Sequence, residues 1–152
     1  MPPGASQAEK AAAFRALHEG EPFLIPNPWD AGSARVLEAL GFKALATTSS
    51  GFAFTPGRLD GGATLDNVAA HTRLLAATTG VPLSVDLENG YGPDPEDAAA
   101  AILRVAEAGA VGARRRSRVA NPAAPCPASA GPFLTRGSSP CPLMRGRCRS
   151  IR

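Results

Sequence analysis

Short apolar runs alternate with longer stretches of helical spacing through the first 112 residues, and the helical stretches end at glycines. No other feature narrows the fold as far. Such an alternation implies right-handed βαβ units built on a parallel sheet. Gln7 to Glu19 is Ala-rich, spaces Phe14 and Leu17 three apart and stops at Gly20, which predicts a short helix. Phe23-Leu24-Ile25 precedes a Pro-Asn-Pro turn and predicts a buried strand. Asp30 caps a predicted helix to Leu40 with Ala34, Leu37 and Leu40 on one face, closed by Gly41. Lys43 to Thr47 predicts the next strand, and Thr48-Ser49-Ser50-Gly51 a loop of small residues. Thr64 caps a helix to Thr79, with Leu65, Val68, Ala69, Thr72, Leu75 and Ala76 at helical spacing. Leu83 to Asp86 is a third strand. Asp94-Pro95-Glu96-Asp97 combines a cap, a first-turn proline and first-turn acids. Its helix turns Ile102, Val105 and Ala106 inward and ends at Gly109, and Ala110-Val111 begins a fourth strand.

Composition adds a boundary. The formal charge of +3 over 152 residues conceals two unlike parts. Residues 1–112 hold two lysines, five arginines and all 13 acids, a charge of −6. Residues 113–152 hold nine arginines with no lysine and no acid, a charge of +9, together with all three cysteines. The reading is therefore two segments, a patterned 1–112 and an Arg/Pro-rich, disordered or frameshifted tail over 113–152. No apolar run approaches the ~18 residues of a membrane span, and Met1 to Ala13 contains no apolar leader core. The expectation is a cytoplasmic chain without a membrane partner.

In α/β sheets of this kind, chemistry sits at the carboxyl ends of strands. Asn27-Pro28-Trp29-Asp30, Thr48-Ser49-Ser50-Gly51 and Asp86-Leu87-Glu88-Asn89-Gly90-Tyr91-Gly92 fall there. Asp86 and Glu88 are two apart, so an extended chain puts them on one face. Two hard carboxylates suit Mg²⁺, which keeps waters for substrate oxygens to replace. Spacing alone leaves a second reading open, a solvated acidic turn ahead of the next helix. Trp29 packs beneath the first loop or meets substrate, and Tyr91 covers the site or braces its turn. His18 and His71, on predicted helices away from strand ends, read as surface or helix-face residues.

From Phe23 to Gly112 the sequence resembles the isocitrate lyase/phosphoenolpyruvate mutase family. The resemblance rests on five pieces in order: Asn27 to Ala34, Gly41-Phe42-Lys43-Ala44, Thr47 to Gly51, Gly57-Arg58-Leu59-Asp60, and Val85 to Gly92. It implies a TIM-type (β/α)₈ barrel, here its first three βα units and the start of a fourth. It implies Mg²⁺-dependent lyase or mutase chemistry on small 2-oxo acids, with a C–C or P–C bond broken or formed beside an enolate. On this resemblance Asp86 and Glu88 would stand in the Mg²⁺ shell, and Asp60 would be a further carboxylate on a mobile segment. Thr48, Ser49 and Ser50 would line the substrate carboxylate. Glu88 and Asn89 depart from the family's Asp and small hydroxyl residue. An intact member would be a homo-oligomer.

The family's fourth strand ends in a Ser-Ile/Val-Glu-Asp-like segment, and no such segment follows Gly112. The Arg, Pro, Ala, Gly, Ser and Cys of the tail are what GC-rich DNA yields out of frame. Arg115-Arg116-Ser117-Arg118 has codons that contain Ser-Ile-Glu two bases on. The expectation is a truncated, inactive chain with a frameshifted tail. The alternative is a non-catalytic protein whose arginines bind nucleic acid or another anionic partner. Against it, the tail's one aromatic is Phe133 and it has no lysine. Cys126, Cys141 and Cys148 lack metal-site spacing.

Overall fold

A computed structural model describes residues 4–116. The elements run α1 (Gln7–Leu17), α2 (Ala31–Ala39), β1 (Leu45–Ala46), α3 (Ser49–Phe54), α4 (Leu65–Thr78), β2 (Leu83–Asp86), α5 (Pro95–Glu107) and β3 (Gly112–Arg114). The three strands form one parallel sheet in the order β1-β2-β3. Leu45 pairs with Leu83, and Ser84 with Gly112. The ladder between β2 and β3 runs on beyond the strands, since the Leu87 N–H donates to Arg114 and the Arg116 N–H donates to Glu88.

Capping explains where the helices start. The Ser6 hydroxyl accepts from the Glu9 N–H while Glu9 reaches back to the Ser6 N–H, a reciprocal box. Asp30 with Ser33 and Thr64 with Asn67 repeat the device. Strand alternation sets the core. Leu45, Leu83 and Val85 turn to the helix side, where Val68, Leu75, Ala101 and Val105 bury them. The opposite side carries Ala46, Ser84, Asp86 and Gly112, and part of it is crossed by α1. The Gln7 amide donates to the Ala106 and Ala110 carbonyls at 2.8 Å each, and the Lys10 ammonium to the Thr79 carbonyl. A side chain at Gly112 would meet the Phe14 ring at 2.8 Å.

Several expectations are corrected. Phe23-Leu24-Ile25 is not a strand, and Leu24 is 78% exposed. Its link to β1 is the Ala46 N–H on the Pro26 carbonyl and the Asn27 amide on the Ala46 carbonyl. Pro26 and Pro28 have no N–H to give a ladder, which is why the apolar run does not become a strand. Thr48 to Gly51 is no loop: Thr48 caps α3, its hydroxyl accepting from the Gly51 N–H. Leu40 and Ile102 are exposed, while Val105 is buried as expected and α5 adds Ala98 and Ala101 to the core. His71 is buried in α4, not on a surface. The predicted strands at 43–47 and 110–111 shrink and shift to Leu45–Ala46 and Gly112–Arg114. Residues 113–116 of the expected disordered tail continue β3 and its ladder, and the readings of the rest as disordered, frameshifted or nucleic-acid binding, and of its cysteines, fall on residues 117–152, outside the described residues. Among the described residues, no helix is long and apolar enough to cross a membrane.

Candidate functional site

The carboxyl end of β2 is where the chain leaves the sheet and its charged groups gather. The Asp86 N–H donates to the Thr47 hydroxyl at 3.0 Å, which ties the ends of β1 and β2 together. Asp86 is then held on both oxygens. Its Oδ1 accepts from the Glu88 N–H at 3.1 Å, and its Oδ2 accepts from the Ser49 hydroxyl at 3.2 Å. Asp86 and Glu88 meet through this turn and not through strand alternation, because β2 ends at Asp86 and Glu88 takes a left-handed φ of 48°. Gly90 completes the turn at φ 90°, where a side chain would strike Arg115 and Ala98.

Glu88 is pulled two ways. Burial, then the neighbouring Asp60 and Asp86 carboxylates, push its carboxyl above the usual range, and Arg116 draws it back down. Its Oε1 is buried and has no hydrogen-bond partner. The Tyr91 hydroxyl is likewise buried and unpartnered, and burial with the adjacent acids pushes its pKa up. The Tyr91 ring packs on the core, so Tyr91 braces the turn. Asp60 lies on an exposed turn with its Oδ2 4.0 Å from the Arg116 guanidinium.

Arg116 also enters this corner, and nothing in the sequence pointed to it. Its Nη2 donates to Asp86 Oδ2 at 3.2 Å and to the Ser49 hydroxyl at 3.1 Å. Residues 48–50 enter the same corner in different ways. Ser49 is buried against Asp86, while the Thr48 and Ser50 hydroxyls stand 3.4 Å apart at the start of α3. A cavity of ≈ 530 Å³ opens on this side of the sheet, walled by Phe14, Asn27, Thr47, Ser84 and Asp86. A second, apolar cavity of ≈ 460 Å³ between Trp29, Phe52 and His71 contains none of these acids. Trp29 packs against Gly51 and edge-on to Phe54, 6.4 Å between ring centres.

The family profile of phosphoenolpyruvate phosphomutase matches residues 14–114, from α1 to the end of β3. The chain belongs to this family. Solved structures agree. A Burkholderia cenocepacia J2315 protein provisionally assigned as a lyase/mutase is 52% identical, with a TM-score of 0.69 over 70% of this chain and 39% of that one. The 2,3-dimethylmalate lyase, itself described as a member of the phosphoenolpyruvate mutase/isocitrate lyase superfamily, is 29% identical with a TM-score of 0.63 over 70% and 39%. The 2-methylisocitrate lyase of Halalkalibacterium halodurans is 36% identical over 89 residues, 57% of this chain and 30% of that protein. The chain spans about a third of the length of the curated relatives it matches. The small parallel sheet and its helices thus correspond to part of a TIM-type barrel.

The acidic corner can be tested for its fit to a divalent ion. The donors are hard oxygens, and the orphaned Oε1 of Glu88 lacks the partner that a buried carboxylate oxygen requires. As the side chains stand, no three His, Cys, Asp or Glu among the described residues converge closely enough to enclose one. The donor chemistry fits, and the guanidinium of Arg116 lies on one of the oxygens.

Proposed function

We propose that this segment forms the acidic corner of a Mg²⁺-dependent lyase or mutase acting on small 2-oxo acids, with a C–C or P–C bond broken or formed. The observation that carries this reading is the unpartnered, buried Glu88 Oε1 at a strand end, beside Asp86 and Asp60, within the family-matched segment. Asp86 and Glu88 would hold the ion, directly or through water, and Asp60 would add a third carboxylate from its turn. A bound Mg²⁺ would act as a Lewis acid on the carbonyl and carboxylate oxygens of such a substrate.

The protein's own groups have separate tasks. Thr47 and Ser49 fix the Asp86 carboxylate by hydrogen bonds to its backbone and its Oδ2. These bonds hold the Asp86 carboxylate in one orientation. Thr48 and Ser50 offer hydroxyls to a substrate carboxylate. Tyr91 packs its ring on the core and braces the turn.

Calorimetric titration with Mn²⁺, in the presence and absence of pyruvate, tests the reading. Pyruvate should tighten Mn²⁺ binding, and Asp86→Asn should remove it. Equal Mn²⁺ binding by Asp86→Asn and the parent chain would overturn the assignment.

A further inference from the structure

The position of Arg116 has a consequence for what the acidic corner accepts. Two carboxylates face it, Asp86 at 3.2 Å and Asp60 at 4.0 Å. The arginine is placed by its backbone as well as its charge. Its N–H donates to the Glu88 carbonyl, in continuation of the ladder between β2 and β3, which aims the side chain back across the end of the sheet. Its guanidinium then bonds Asp86 Oδ2 and the Ser49 hydroxyl through the same nitrogen. The Asp86 carboxylate is mostly buried, with 17% of its side chain exposed, so this contact is less screened than an open surface pair.

We propose that Arg116 is a built-in competitor for the cation site: its guanidinium and a divalent ion exclude each other at Asp86. The inference rests on the cation reading of Asp86 and Glu88. A guanidinium takes carboxylate oxygens through planar N–H donors, whereas Mg²⁺ or Mn²⁺ demands the lone pairs themselves in octahedral array. One oxygen cannot present the same lone pairs to both. The positive charge of Arg116 also opposes a second cation nearby. Arg116 therefore lowers the affinity of the corner for divalent ions, and ion binding must swing the side chain out towards solvent, where over half of it is already exposed.

The experiment is Mn²⁺ titration of the full 152-residue chain and of Arg116→Gln and Arg116→Lys, read by calorimetry and by the paramagnetic resonance of free Mn²⁺. Arg116→Gln should bind Mn²⁺ about fivefold to tenfold more tightly, as expected for loss of one half-exposed charge-assisted pair. Arg116→Lys keeps the charge but loses the planar donors, and its affinity should fall between those of the parent and Arg116→Gln. Far-ultraviolet circular dichroism confirms that each variant folds like the parent, and a misfolded Gln variant is replaced by Arg116→Met. Equal affinity in the parent and the charge-free variant overturns the competition while leaving the cation site standing. Absence of Mn²⁺ binding in every chain, the charge-free variant included, overturns the cation reading and the competition with it.

Discussion

The two faces of β2 follow different rules. On the helix side, Leu83, Val85 and Leu87 are each within about 1% of full burial and meet side chains from α4 and α5. On the other side, Ser84 and Asp86 face an open cavity, and Asp86 is held there by hydrogen bonds rather than by packing. Hydrophobic burial is insensitive to direction and tolerates small shifts, so the helix side can carry the stability. Hydrogen bonds to a carboxylate are directional, so the other side can carry the chemistry. The strand separates the two tasks by its period of two residues.

The sharpest way to break this contrast is a pair of truncations one residue apart. Leu83→Ala should cost about 2–4 kcal/mol in urea unfolding, through lost contacts and the cavity left behind. Ser84→Ala should change stability by less than about 0.5 kcal/mol. Comparable losses in both would refute the division of labour.

His71 tests the closed side at its one buried imidazole. The ring stacks on Phe52 at 4.1 Å between centroids, and its Nε2 has no partner. Burial lowers its pKa from 6.5, against a smaller opposing pull from Asp30. A histidine with a lowered folded pKa binds fewer protons folded than unfolded, so stability is full above the unfolded value. It falls as pH drops below 6.5 and levels off once pH passes beneath the folded value. The slope cannot exceed about 1.4 kcal/mol per pH unit. Urea midpoints measured from pH 8 to 5 should show this loss, and His71→Phe should flatten it in that window.

The smallest effect belongs to the outer surface. Asp66 on α4 and Arg104 on α5 form an ion pair at 3.1 Å, with 82% and 47% of their side chains exposed. Asp66→Asn should shift the unfolding free energy by no more than about 0.5 kcal/mol, and less in 0.5 M salt. A larger effect would mean that the α4–α5 contact relies on charge as well as on Val68, Ala101 and Val105.

Local chemistry explains which parts were legible before the structure. The starts of α2, α4 and α5 could be read because Asp30, Thr64 and Asp94 are local capping residues, whereas α1 was read from its composition and its glycine stop. The buried stripe of α4 followed from its period, although His71 sits in that stripe and was passed over because imidazole is polar. The short helix α3 was hidden, since Ser-Ser-Gly has turn chemistry and the six residues that follow Thr48 are too few to display a period. The strand expected at 23–25 failed because its apolar residues spoke louder than the flanking prolines. At the candidate site, the spacing of Asp86 and Glu88 left an acidic turn as open as a metal pair, and the turn that joins them depends on a left-handed residue that no period predicts. Arg116 was invisible as a partner. It lies 30 residues from Asp86, and only the parallel pairing of β2 with β3 brings them together.

Gly51 has a practical consequence. Its missing side chain lets the ring of Trp29 lie against α3, where a Cβ would sit 2.5 Å from the indole nitrogen. Trp29 is the one tryptophan in the chain and is 49% exposed. Ser49, two residues away, touches both Asp86 and Arg116. The protein thus carries a fluorophore seated on the same short helix as its acidic corner. Its emission offers an optical record of events there without any label being attached.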